Sequence, residues 1–440
     1  MKRNLLFVAL VLCCTFLVQP AFAQEDESDN TLVALNPRYE KEIASLMKHA
    51  KVMQAFDVIK QTDDQTIKDH IFLTEIEAPP FKEDKRAAAF AKMLEAEGGV
   101  DSVWIDAEGN VLALRKGSKG GKVVVLDAHL DTVFPEGTDV TVKVSGDTLF
   151  APGVGDDTRG LSMVLAVLRA MNKAEIDTEA DVLFVGTVGE EGLGDLRGVK
   201  YLFSENGPKI DSWIAIDGGD LGRVNFKALG SYRFRVVFKG PGGHSWGAFG
   251  LANPHHAMAA GIKYFVDAAD AYTETGPRTS YNIGRMGGGT SVNSIPFESW
   301  AEIDMRSVRP ERLDDMEKLL RDAMQKGLEE QNEIRRRGRP LTVEVTMIGK
   351  RPSGELSPDL PLIQRSIAAI EAFGMSAGFT RGSTDSNIPI SLGIPAVTIG
   401  RGGEGGWGHS LLEWWANKDG YKSIQYSLLL LLSESGVVAD

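Results

Sequence analysis

Cysteine is nearly missing from this sequence. Cys13 and Cys14 are the only two in 440 residues. Both fall in an amino-terminal stretch built like an export signal. Lys2 and Arg3 open it, Leu5–Val18 is mostly apolar, Pro20 breaks the run, and Ala21-Phe22-Ala23 offers a small-residue cleavage site before Gln24. Cleavage near Ala23-Gln24 leaves a chain with no disulfide, no thiolate metal site and no cysteine nucleophile. The expected location is secreted or periplasmic. A basic excess is missing too. Lys and Arg number 48 against 61 Asp and Glu, a net charge of −13, which excludes the basic face that nucleic-acid binding needs. Spanning segments are also lacking. The first apolar run is shorter than the ~20 residues a membrane helix requires, and Leu428–Leu432 reads as part of a buried helix against a sheet. The mature form therefore has no expected membrane or nucleic-acid partner. Hydrophobic residues at 43% and charged residues at 25% exclude a disordered or fibrous chain. Glycine is the excess, 48 residues, and implies many tight turns and close backbone approaches.

Helical patterns lie at Pro37–Gln61, Asp64–Thr74 and Arg86–Glu97. Short apolar runs between turns follow at Val123–Ala128, Val182–Thr187, Trp213–Ile216 and Ala396–Ile399, with helices at Leu161–Asn172 and Leu360–Phe373 among them. Buried strands alternating with helices predict an α/β fold with a mainly parallel sheet flanked by helices. The stretch 229–349 reads differently. A strand at Tyr232–Lys239, a helix at Pro254–Ala271, strands at Ser280–Met286 and Ser299–Ser307, a helix from Pro310 to Arg335 and a strand at Leu341–Ile348 give the order β-α-β-β-α-β. That is the ferredoxin-like α+β split motif, inserted into the first domain. The expected organisation is a signal at 1–23, the main domain at 24–228 and 350–440, and the insertion at 229–349. Arg335–Arg337 is read as a solvated helix end beside the negative pole of the dipole.

Chemistry-bearing residues gather where these elements end. His129 follows the strand Val123–Ala128, and Asp131, two residues on, points the same way in extended backbone and can orient the imidazole. Asp156 and Asp157 open a helix; capping accounts for one of them and leaves the other unexplained. Glu190 and Glu191 stand between Gly189 and Gly192 after the strand Val182–Thr187, where one carboxylate can bind metal while its neighbour serves as general base. Asp217 follows Trp213–Ile216, and His409 comes after Ala396–Ile399. With only seven histidines in the chain, delivery of His, Asp, Glu, Asp and His to five junctions is a specific pattern. Two imidazoles and three carboxylates suit two divalent ions sharing a bridging carboxylate. Zinc is expected first, with manganese or cobalt accepted by so oxygen-rich a site.

The stretches Asp127–Val133, Gly153–Gly160, Gly186–Gly198, Ile214–Gly219, Gly242–Phe249, Gly287–Pro296, Glu302–Ser307 and Gly405–Trp414 resemble, in order, those of the M20 metallopeptidases. That family includes peptidase T, carboxypeptidase G2-like enzymes, aminoacylase and succinyl-diaminopimelate desuccinylase. The resemblance implies His129 and Asp217 on one metal, Glu191 and His409 on the other, and Asp156 as the bridge. It places Asp131 behind His129 and makes Glu190 the general base. A cis bond after Asp156 is implied as well. The insertion resembles a lid and dimerisation domain. By that likeness His244, Asn293 and Arg306 hold the substrate carbonyl and carboxylate, and His244 acts across a homodimer. Thr158 stands where the family often has Lys, and exchange of Asp156 with Asp157 stays open. The implied activity is exopeptidase cleavage of short peptides, with N-acyl amino acid deacylation as the alternative.

Two other classes compete. Gly243-His244-Ser245-Trp246-Gly247 fits G-x-S-x-G and raises a serine hydrolase at Ser245, although Asn253-Pro254 delays the helix a nucleophile elbow needs. A catalytically inactive relative that binds peptide or metal is the non-enzymatic reading. Asp63-Asp64 and Asp314-Asp315 read as capping or solvated pairs, His255-His256 as lid surface, and Trp414-Trp415 as packing against the last helix.

Overall fold

A computed structural model describes residues 33–438 and the backbone of Glu27–Ser28. The signal-like stretch and its cleavage site lie outside the described residues. The main sheet runs, in order, Gly378–Gly382, Arg223–Ala228, Ala396–Ile399, Ser212–Ile216, Val123–His129, Asp181–Thr187, Val111–Arg115 and Ser102–Ile105, with Glu27–Ser28 on the first edge. Its four middle strands are parallel neighbours: Ala396–Ile399 on Ser212–Ile216, that strand on Val123–His129, and that one on Asp181–Thr187. These are the four apolar runs of the sequence. They are almost wholly buried, as strands covered on both faces must be.

The parallel arrangement does not extend to the whole sheet. Val111–Arg115 pairs antiparallel with Asp181–Thr187 and with Ser102–Ile105, and Arg223–Ala228 runs antiparallel to Ala396–Ile399. The expected parallel centre is present, bordered by antiparallel pairs and by one further parallel pair, Gly378–Gly382 on Arg223–Ala228. Ser102–Ile105 and Val111–Arg115 are joined by a short turn, which imposes their antiparallel pairing.

Two helices are buried nearly all round. Thr158–Lys173 buries every residue from Thr158 to Met171, and Tyr421–Ser435 buries every residue from Ser423 onward, the five leucines included. Each fully buried leucine contributes about 1.5–3 kcal/mol. The single helix expected over Pro37–Gln61 is two, Pro37–Leu46 and Ala50–Gln61. Lys48 and His49 donate tight backbone bonds to Ser45 and Leu46, and His49 turns extended to start the second helix.

The segment from Gly230 to Arg351 forms a separate four-stranded antiparallel sheet, in the order Thr279–Gly288, Glu298–Ser307, Gly230–Lys239, Thr342–Arg351. Helices Pro254–Thr273 and Pro310–Glu333 cover one face. In Gly230–Lys239 the residues Tyr232, Phe234, Val236 and Phe238 are buried while Arg233, Arg235 and Val237 are half-buried, the alternation of a sheet with one face on a core. The last strand runs to Arg351, past the Gly349 boundary drawn from sequence. A small sheet of Lys143–Ser145, Thr148–Phe150, Trp414–Ala416 and Glu404–Gly406 has no counterpart in the sequence reading, because its strands are only three residues long. It places Trp415 in a minor core with Leu149, Ala151 and Val154, with its indole close to Gly420 at the start of the last helix. Among the described residues no helix is long and apolar enough to cross a membrane.

Candidate metal centre

Because the middle strands are parallel, their carboxyl ends meet at one edge, the usual place for an α/β site. His129 is the last residue of its strand. The Leu130 N–H donates to the Thr187 carbonyl at 2.7 Å, which brings the loop carrying Glu190 and Glu191 alongside. Asp217 begins where Ser212–Ile216 stops, and its N–H donates to the Ile399 carbonyl at 3.1 Å.

Asp156 stands between the two imidazoles. His129 Nε2 lies 2.9 Å from Asp156 Oδ1, and His409 Nε2 lies 3.1 Å from Asp156 Oδ2. His409 Nε2 is also 2.9 Å from Glu191 Oε1. His129, Asp156 and Glu191 each offer a donor atom, all within 4.8 Å of one another. The Nδ1 of His129 faces the Asp131 carbonyl at 3.0 Å. A carbonyl only accepts, so Nδ1 carries a proton and Nε2 is directed at Asp156.

Asp131 does a second job. Its carboxylate accepts the N–H groups of Glu190 at 3.0 Å and Glu191 at 2.8 Å, so one aspartate fixes both the first imidazole and the glutamate pair. The two adjacent aspartates part company. Asp157 accepts from the Gly160 N–H and the His129 N–H, both at 3.2 Å, and caps the helix Thr158–Lys173. Asp156 alone faces the imidazoles. The bond between them is cis.

The charge balance shows what this cluster lacks. Burial pushes the Glu190 carboxyl well up, despite the opposing attraction of Arg351. Burial also raises Glu191 and Asp217, the latter helped by the charge of Asp156. Burial opposes ionisation of Asp156, but hydrogen bonds to His129 and His409 outweigh it and hold its carboxyl well below the usual range. Hydrogen bonds to Asp156 and Glu191 push His409 up to about 11. Crowded carboxylates and imidazoles forced toward their charged form mark a site deficient in positive charge. Divalent cations meet that deficiency, and the N and O donor set fits them.

The expected substrate-binding residues lie in the four-stranded-sheet segment. His244 is exposed, and its Nδ1 accepts the N–H groups of Trp246 and Gly247 at 3.2 Å. Asn293 lies beside it: its carbonyl accepts the Ser245 N–H at 2.9 Å. Arg306 stands elsewhere, on the face of the sheet away from the helices, with Nε 3.0 Å from Asp304 Oδ2. The hydrogen bonds of His244 and Asn293 among the described residues stay within the insertion and do not reach the metal cluster. For Ser245, the imidazole of His244 is committed to backbone N–H groups, and the next helix begins only at Pro254. The nucleophile-elbow geometry is therefore absent among the described residues. His255 starts that helix and bonds Ser299 Oγ at 2.8 Å, and Asp314 accepts from the Tyr232 hydroxyl at 3.0 Å. Arg335–Arg337 lie past the helix end at Glu333, and Arg336 and Arg337 anchor the loop at Gly247–Gly250.

Sequence reasoning missed several residues here. Arg351 Nη1 donates to Glu190 Oε1 at 3.0 Å. Glu413 accepts the N–H groups of Gly153 at 2.9 Å, Gly155 at 2.8 Å and Asp156 at 3.0 Å, and so cradles the loop that presents the shared aspartate. Burial pushes its carboxyl up to about 7. Asp385 accepts from Thr187 Oγ1 at 2.6 Å behind the strand ends. Glu413 sat within a stretch already marked for His409. Arg351 had no signal beyond its place at the seam between insertion and main domain.

Carboxylates and imidazoles gathered on parallel strand ends, with a second α+β sheet beside them, are the features of a metal-dependent hydrolase. The family model for peptidase family M20/M25/M40 matches residues 125–433, and the chain belongs to that family. Carboxypeptidase G2 of Pseudomonas sp. (strain RS-16) is 25% identical over 306 residues, which cover 66% of this chain and 68% of that protein. The aminopeptidase PepT structure from Bacillus cereus superposes with a TM-score of 0.65 at 20% identity, covering 84% of this chain and 98% of the other. The YXEP protein of Bacillus subtilis, a dinuclear metal binding peptidase from the M20 family, gives 0.61 at 19% identity over 86% and 99%. The protein is a hydrolytic enzyme of this metallopeptidase family.

Proposed function

We propose that the protein is an exported exopeptidase of short peptides that works with two divalent ions, zinc in the first instance. The observation that carries the proposal is Asp156 held between His129 and His409, with Glu191 on His409. His129 and Asp217 would hold one ion, Glu191 and His409 the other, with Asp156 between them. When bound, the ions supply an activated water and polarise the scissile carbonyl. Glu190 is the general base. It adjoins a metal ligand, and its buried site raises its proton affinity, which suits a group that must take a proton from water and return it to the leaving amine. Asp131 keeps His129 and both glutamates in place. The insertion acts as lid and dimerisation domain, and the exposure of His244 and Asn293 suits contact with substrate across a dimer. Arg306 is assigned to a substrate carboxylate. The signal-like Lys2–Ala23 stretch supports export.

The test is a screen of metal-loaded protein against di-, tri- and N-acyl substrates with free and blocked termini. Hydrolysis that needs a free terminus and disappears on chelation supports the exopeptidase reading. Cleavage confined to N-acyl amino acids moves the assignment to deacylase. Activity that survives chelation but yields to a fluorophosphonate would return Ser245 to consideration.

A further inference from the structure

We propose that the groove beside His409 is a specificity pocket that takes an apolar side chain, aliphatic or aromatic, of the residue adjoining the scissile amide. The inference rests on the hydrolase reading above and names its substrate class. The groove has a volume of about 890 Å³, within the range of small-ligand sites. Phe150, Trp407, Leu411, Leu412 and Trp414 form its apolar walls. Water reaches 55% of Trp407, 69% of Leu411, 68% of Leu412 and 41% of Phe150. Single exposed apolar residues are common on any surface; four around one groove are not.

Three observations tie this surface to the chemistry. First, Trp407 and Leu411 flank His409 in sequence, and both Trp407 and His409 adopt left-handed backbone, with φ of 61° and 62°. Non-glycine residues seldom adopt that conformation. Here one short loop directs the imidazole to Asp156 and Glu191 while the indole lines the groove. Second, Glu413 lines the groove and accepts the Asp156 N–H, so the groove wall and the metal loop are one hydrogen-bonded unit. Third, the other ionisable residues of the rim are Asp139 and Lys143, one of each sign. Nothing there favours a charged side chain, whereas an apolar one removes exposed Trp and Leu surface from water.

The experiment uses the metal-loaded full-length protein and measures kcat/KM for dipeptides carrying Gly, Ala, Leu, Phe, Asp or Lys at each position in turn. Leu or Phe at one position is expected to exceed Gly by about tenfold or more. Trp407→Ala and Leu411→Ser are expected to lower that ratio by about tenfold, and Leu392→Ser, an apolar surface residue outside the groove, to leave it unchanged. Calorimetric titration with leucine amide and glycine amide reads the groove without turnover. Tighter binding of leucine amide that weakens in both variants keeps the pocket even if no peptide is cleaved, in which case the hydrolase reading alone falls. Cleavage with no apolar preference, or a preference untouched by both variants, overturns the pocket. A change of oligomeric state in Leu411→Ser with an unchanged ratio also overturns it, because a second copy would then be what covers these residues.

Discussion

Arg351 holds Glu190. The guanidinium Nη1 lies 3.0 Å from Glu190 Oε1, and both side chains are almost fully buried. Arg351 ends the outer strand of the four-stranded sheet, while Glu190 sits in the loop after a strand of the main sheet. Neighbouring contacts follow the same line. The Arg233 guanidinium donates to the Gly192 carbonyl, and the Lys350 N–H donates to Asp195 at 2.9 Å. The loop carrying the proposed base is thus gripped by the insertion.

Removing the arginine leaves a buried carboxylate without its partner, a change worth about 3–5 kcal/mol in other proteins. Arg351→Ala is therefore expected to lose stability on that scale and most of its activity. Adding Glu190→Gln is expected to recover much of the stability and none of the activity. Urea denaturation and kcat/KM on the three proteins check this. A single variant as stable as the parent would show that the pair contributes nothing to the fold.

Glu190→Gln alone preserves shape and removes the basic oxygen. Loss of a general base lowers rate by about 10²–10⁴-fold. Metal content, measured by atomic absorption, is expected to stay at two ions per chain. Glu191→Gln is expected to lower metal content as well as rate. Equal metal loss in both variants would mean that both glutamates are ligands and that the base lies elsewhere.

Asp156 and Asp157 give a cleaner separation. Asp156→Asn removes the carboxylate shared by His129 and His409 and is expected to lose bound metal. Asp157→Ala removes the cap of the helix Thr158–Lys173. Cap loss costs about 1 kcal/mol and is expected to lower the unfolding midpoint while metal content holds. If the second variant loses metal and the first keeps it, the bridging assignment is exchanged.

The sequence already separated much of this site, for physical reasons. The middle strands were legible because strands buried on both faces must be continuous apolar runs. The residues at their carboxyl ends stood out because glycines and turns set them off. The antiparallel flanks and the three-residue strands were not legible, since Val111–Arg115 has no alternation and Trp414–Ala416 looks like part of a helix approach. Adjacent Asp156 and Asp157 could not be told apart by type, because capping and ligation favour the same residue. Only the backbone path, which sends one side chain to His129 Nε2 and the other to the His129 N–H, distinguishes them. Arg351 was hidden for a different reason. Its partner lies 161 positions away, and no local pattern encodes such a contact.

His70 gives the pH prediction. It is fully buried on the helix Asp63–Thr74, stands edge-on to Trp415 with ring centroids 5.2 Å apart, and places Nε2 2.5 Å from the Val154 carbonyl. The carbonyl requires the proton on Nε2. Nδ1 has no partner among the described residues, so charging the ring would add an unpaired buried N–H. Burial, followed by the charge of Arg159, lowers the His70 pKa from 6.5 to about 3. Between those values the unfolded chain carries a proton that the folded chain does not. Stability therefore falls as pH drops through this window, at about 1.4 kcal/mol per pH unit where the difference is one full proton. Above it both states are neutral at this residue and the contribution is flat. His70→Gln keeps a donor for Val154 and removes the titration. Its stability, followed by urea denaturation from about pH 7 to about pH 4, is expected to decline less steeply than the parent's by that amount. Parallel curves for the two proteins would mean that His70 becomes charged inside the fold. The Val154 carbonyl, two residues before the shared Asp156, would then be held by an imidazolium rather than by a neutral ring.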